Sequence, residues 1–196
     1  MFAAMMMAAA VAGAPKPAPP IFVSGNYALT FRSPADTTIC PLAPDWVGSD
    51  HGTVIFLTPP HVCGGAGYPS SSRGFSPDVP RLEVYYQYWL DDPDTPPPPC
   101  HHVIGRVTFV GKLRRLCRSA QGDMLRISVS ARYTADNPAW VEVAAVTTRQ
   151  RLQTDLQALK TLSASLRPCR ASWSTSDGKS GSIGTGADCP ADGKFF

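Results

Sequence analysis

Residues 81–90 read Arg-Leu-Glu-Val-Tyr-Tyr-Gln-Tyr-Trp-Leu, and their apolar positions recur at every second residue. Leu82, Val84, Tyr86, Tyr88 and Leu90 form one set, and Glu83, Tyr85, Gln87 and Trp89 form the other. A period of two sends alternate side chains to opposite faces of a pleated strand. The first set is therefore expected to face a core, and the second to emerge on the far side of a sheet.

The same alternation recurs outward from this strand. Met124–Tyr133 carries Leu125, Ile127, Val129, Ala131 and Tyr133 on one side and Arg126, Ser128, Ser130 and Arg132 on the other. Val103–Val110 and Lys112–Cys117 predict two strands joined at Gly111 by a tight hairpin or a bulge. Tyr27–Arg32 and Trp140–Val146 are two more. Gly52–Thr58 is another, buried on both faces, because Val54, Ile55, Phe56 and Leu57 run unbroken to Pro59-Pro60. Consecutive strands usually pair with their neighbours, so about six or seven strands add up to a mostly antiparallel meander.

One segment has a helical period. Leu152, Leu156, Leu159, Leu162 and Leu166 recur at steps of three and four, Thr147 and Gln150 stand at capping-box spacing, and Pro168 ends the run. This predicts an amphipathic helix from about Thr148 to Leu166, with Arg149, Arg151, Gln153, Thr154, Gln157 and Lys160 toward solvent. The expected fold class is α+β: a mainly antiparallel β-sheet meander with one C-terminal amphipathic helix packed on one face, stapled by disulfides.

Phe2–Ala14 contains only Ala, Met, Val, Gly and Phe. It falls short of the ~20 apolar residues of a membrane span and reads as a signal peptide over residues 1–14, cleaved near Ala12 or Ala14, although no Lys or Arg precedes it. Residues 15–20 form a Pro-rich linker. Residues 21–169 have the length of a single α+β domain, and the Gly/Ser-rich residues 170–196 are expected to be a mostly disordered tail tethered by Cys189. A periplasmic or secreted location follows, with no transmembrane segment once the signal is removed. The net charge of +3 and a charged fraction of 17% are too mild for a dedicated nucleic-acid binder.

The chain has six cysteines: Cys40, Cys63, Cys100, Cys117, Cys169 and Cys189. Behind an export signal they read as disulfides. Six cysteines allow fifteen pairings, of which the sequential one closes loops of about twenty residues, each contributing on the order of 3 kcal/mol in the chain-entropy model. A zinc site is the weaker reading, since no C-x-x-C occurs.

Catalytic signatures are sparse. Gly48-Ser49-Asp50-His51-Gly52 holds a serine, a carboxylate and an imidazole, but groups so close in sequence cannot converge as a Ser–His–Asp triad. Asp50, His51, His61, His101 and His102 could together hold a divalent metal, which makes a metal-dependent hydrolase the alternative function. Adjacent His101 and His102 would alternate faces of a strand, so one of the two at most joins such a site. Asp91, Asp92 and Asp94 lack the glycine and terminal glutamate of a calcium loop, and Gly64-Gly65-Ala66-Gly67 lacks the residues of a phosphate loop. No cofactor is expected.

Non-enzymatic binding is the leading expectation: an envelope or secreted protein that binds or neutralises another protein, in an immunity-type or accessory role. If Leu82 and its set point inward, Tyr85 and Trp89 emerge opposite, and Arg126 and Arg132 share their face. With Arg114 and Arg115 nearby, this aromatic and arginine face suits an acidic protein surface. The competing expectation is that Tyr85 and Trp89 pack beneath the long loop His61–Pro80.

Overall fold

A computed structural model of the chain describes residues 20–24, 28–34, 36–41, 52–58, 79–87, 99–132, 140–191 and 193–195. Their elements in chain order are β1 (Ile21–Ser24), β2 (Leu29–Arg32), β3 (Thr38–Pro41), β4 (Gly52–Phe56), β5 (Arg81–Gln87), β6 (Val103–Phe109), β7 (Lys112–Gln121), β8 (Met124–Arg132) and β9 (Trp140–Thr147). They continue with α1 (Leu152–Ser165), β10 (Arg167–Pro168), β11 (Arg170–Ser174), β12 (Ser180–Gly184) and β13 (Lys194–Phe195).

The main sheet has seven strands in the order β3-β4-β5-β9-β8-β7-β6. Every neighbouring pair in it is antiparallel. The expected meander is thus split into two runs, β3-β4-β5 and β6-β7-β8-β9, and the join between them is not a hairpin. β5 lies against β9, and β6 is carried to the far edge. Burial explains the placement. Leu82 opposes Ala145 and Val84 opposes Val143, all fully buried, and β9 is apolar on both faces over most of its length. Such a strand belongs at the centre of a sheet, whereas β6, with five exposed residues of seven, belongs at an edge.

One face of this sheet contributes Leu82, Val84, Ile127, Val129, Val143 and Ala145 to a continuous apolar cluster that also holds Leu159, Leu162 and Leu166. Each fully buried leucine contributes about 2 kcal/mol by removal of apolar area from water. The buried stripe of α1 runs through Asp155, Leu159, Leu162 and Ser163, so it is rotated from the predicted one, and Leu152 and Leu156 are only half-buried. The predicted capping box does not form. The Thr147 hydroxyl donates instead to Asp155 Oδ2 at 2.5 Å, and Arg151 donates to the same carboxylate. A carboxylate in the first turn also complements the positive end of the helix dipole.

The helix is not the last element. A second sheet, β10-β2-β1-β13, takes one strand from directly after the helix and closes with a parallel β1–β13 pair. Phe22 and Phe31 stack across it with ring centroids 5.6 Å apart. The segment from Arg170, expected to be loose, carries the two-stranded ribbon β11–β12. It buries little, which is why hydrophobic patterning gave no sign of it; backbone bonds and a disulfide hold it in place. Cys169 N–H donates to Ala28 C=O at 2.8 Å, and Cys189 N–H donates to Arg170 C=O at 2.9 Å. Gly184, at φ +85°, permits this seam, since a Cβ there would lie 2.1 Å from the Cys169 carbonyl oxygen.

Cys100 is bonded to Cys117 and Cys169 to Cys189, two pairs of the sequential arrangement. Cys40 is also disulfide-bonded and fully buried. It lies on β3, where a turn-rich connection was expected; Thr38 and Ile39 supply β-branched residues to this short edge strand. Cys63, Asp50, His51, His61, Trp89 and residues 1–19 fall outside the described residues.

Candidate functional site

The face of the main sheet opposite this apolar cluster is built from the alternate set of each strand. β5 supplies Arg81, Glu83 and Tyr85, β9 supplies Trp140, Glu142, Ala144 and Val146, and β8 supplies Arg126, Ser128, Ser130 and Arg132. The hairpin β6–β7 adds Arg106, Thr108, Leu113, Arg115 and Cys117. Its tight turn at Val110-Gly111 puts both residues at positive φ, 47° and 71°, and fixes the register in which Arg106 opposes Arg115.

At the centre of this face lies a chain of alternating charges. Arg81 Nε donates to Glu83 Oε1 at 2.7 Å, Arg126 Nη1 donates to Glu83 Oε2, and Arg126 Nη2 donates to Glu142 Oε2 at 2.9 Å. Arg126 on β8 and Glu83 on β5 are separated by the whole of β9, a gap of about 10 Å. Arg126 opposes Val146 and Glu83 opposes Ala144, so the pair meets on a diagonal across β9, on which Ala144 presents only a methyl group. Burial alone would push the Glu83 carboxyl up, but the Arg126 and Arg81 charges and their hydrogen bonds outweigh it and hold the group below its ordinary value of 4.5. Burial alone would lower the Arg126 value; the Glu142 and Glu83 charges raise it instead.

Toward the β6 edge the balance changes. Arg106, Leu113, Arg114, Arg115, Ser130 and the Cys100–Cys117 disulfide line an open depression of about 370 Å³. Arg106, Arg115 and Arg132 are exposed, and none forms an ion pair with a carboxylate among the described residues. The Arg132 guanidinium lies 5.5 Å from the centroid of the Trp140 ring, which steadies it by a cation–π contact. Exposed apolar side chains flank the cations: Leu113 is 62% and Val103 51% accessible.

The predicted partner-binding residues therefore separate. Arg115 and Arg132 stand on the open, cationic part of the face. Arg126 is on the same face but engaged by Glu83 and Glu142, so it is a structural cation. Tyr85 is half-buried opposite Glu142. Arg114 falls on the core-side set with Leu116 and Val107 and is half-buried, its Nε without a hydrogen-bond partner. Arg106 was missed, although the two-residue turn at Val110-Gly111 already implies its pairing with Arg115. Of the metal candidates, His101 and His102 are exposed in the approach to β6. Among the described residues no three His, Cys, Asp or Glu side chains converge. Among the same residues no helix is long and apolar enough to cross a membrane. Comparison of the chain with protein-family models, curated proteins and solved structures returns no match.

Proposed function

We propose that this chain is an exported, non-enzymatic binding protein that captures another protein through acidic groups seated among Arg106, Arg115 and Arg132. One observation carries the reading. Residues 103–121 contain five cations, Arg106, Lys112, Arg114, Arg115 and Arg118, and no Asp or Glu. Exposed guanidinium groups beside exposed Leu113 and Val103 combine charge with apolar contact area, the composition of interface hot spots. A protein partner fits better than nucleic acid, because Glu83 and Glu142 share the face and break the single-sign field that a polyanion would need. The disulfides support an oxidising compartment. Neutralisation of a second protein, or an accessory role in the envelope, is the form such capture takes.

The test uses the full chain with its disulfides intact, run over immobilised polyglutamate in a salt gradient. Arg106→Glu with Arg115→Glu is expected to elute well before the parent. Arg149→Glu with Lys160→Glu, an equal change of net charge at the helix, is expected to elute close to it. Equal shifts for both variants would reduce the retention to net charge and overturn the proposal.

A further inference from the structure

We infer that β6 is an open docking edge that takes an extended acidic segment of the partner as an added strand. The inference rests on the acidic-partner reading above and specifies how that partner binds. Among the described residues β6 ends the sheet. From Gly105 to Phe109 its register with β7 is unbroken, Gly105 opposing Leu116 and Phe109 opposing Lys112. One backbone edge is thus satisfied by β7, and alternate N–H and C=O groups on the other edge point away from the sheet. Val103, Ile104, Gly105, Arg106 and Thr108 are all exposed, and among the described residues no strand pairs with this edge. The strand is nevertheless held in place, since Val107 and Phe109 are buried in the core at 6% and 0% exposure. A preformed strand binds with little ordering cost.

Protein sheets normally blunt such an edge with proline, bulges or inward charge. Here the irregularity lies at Val103–Gly105, before the regular stretch, and Gly105–Phe109 contains no proline. What protects the edge from its own copies is sign. Two hairpins meeting edge to edge would bring Arg106 and Arg115 of one near those of the other, with no Asp or Glu in residues 103–121 of either. The same charges favour an acidic strand. The pleat sets its pattern: acidic residues on the side of Arg106 and Arg115, and apolar residues on the side of Val107 and Phe109.

The experiment uses a capped peptide of about eight residues alternating Glu and Val, a usual strand length. It is compared with a scrambled peptide of the same composition and with two peptides N-methylated at alternate residues, one in each register. Binding to the isotopically labelled full chain is followed by amide exchange and titration. The alternating peptide is expected to slow exchange of outward amides within Gly105–Phe109. N-methylation in one register should weaken binding at least about tenfold, the loss of roughly two hydrogen bonds, and much less in the other. Equal affinity for all four peptides would overturn strand addition while leaving acidic capture standing. Failure of every peptide to bind, with retention on polyglutamate kept, would do the same; loss of that retention as well would remove the functional reading itself. Concentration-dependent dimers protecting the same amides without peptide would also overturn the inference, in favour of a second copy as occupant.

Discussion

Arg126 and Arg132 sit six positions apart on one strand, and both point away from the core. Their fates differ because of what lies across the neighbouring strands. Arg126 reaches over Ala144 to Glu83 and sideways to Glu142, while Arg132 meets the Trp140 ring and stays in solvent. Glu83 is the hinge of the charge chain, so Glu83→Ala leaves two largely desolvated guanidinium groups without the carboxylate between them. A loss of about 3 kcal/mol is expected in denaturant unfolding, well above that of an exposed acidic residue such as Asp123. The acid limb should follow the same residue. Because the folded Glu83 value lies below 4.5, its stabilisation is complete above that pH and is lost as pH falls through the lower folded value. Melting temperature should therefore drop below about pH 4.5, and Glu83→Gln should flatten that part of the curve. An unchanged acid limb in the variant would show that other carboxylates govern it.

At the scale of elements, α1 and the post-helix segment carry the sharpest expectations. Leu159 is fully buried, whereas Leu156 and Lys160 are both half-buried, the latter ending in a charged group. Leu159→Ala should cost about 3 kcal/mol, Leu156→Ala clearly less and Lys160→Ala close to nothing. Similar costs at all three would contradict the observed rotation of the buried stripe. For Cys189, a bond that closes only a loose tail would predict a small effect. The structure instead ties Cys169 to Ala28 on the β2 side and pairs β13 with β1, so the Cys169–Cys189 bridge closes a loop stitched into the second sheet. Cys189→Ser should then destabilise by an amount comparable with Cys117→Ser, about 3 kcal/mol for loops of this length. Denaturant midpoints of the two variants decide it.

For the whole molecule, the main sheet is asymmetric in charge. Its β5–β9–β8 centre balances Arg81 and Arg126 with Glu83 and Glu142, whereas its β6–β7 edge carries cations alone. Under the proposed acidic capture, a partner would be steered to that edge, and its association should slow steeply as salt rises. Reductant should lower the melting temperature by many degrees, because several connections are long and the bridges restrict their unfolded freedom. Insensitivity to reductant would mean that the core of both sheets is sufficient without them.

The strands at residues 81–87, 103–109 and 124–132 and the helix near residues 152–165 were legible because their periods are local: a two- or near-four-residue repeat needs no knowledge of the rest of the chain. Register across the β6–β7 hairpin was also implicit, since a two-residue turn leaves one choice. Strand order was not. Nothing in residues 81–87 says that they pair with residues 140–146; burial on both faces decides it, and burial belongs to the assembled sheet. The strands β10 to β13 escaped notice for the opposite reason, being held by backbone bonds and a cystine that leave no apolar pattern. The candidate face divides in the same way. Residue type marked its arginines, but only the tertiary structure, by setting Glu83 and Glu142 beside Arg126 and no described carboxylate beside Arg106, Arg115 or Arg132, decided which of those charges are neutralised within the fold.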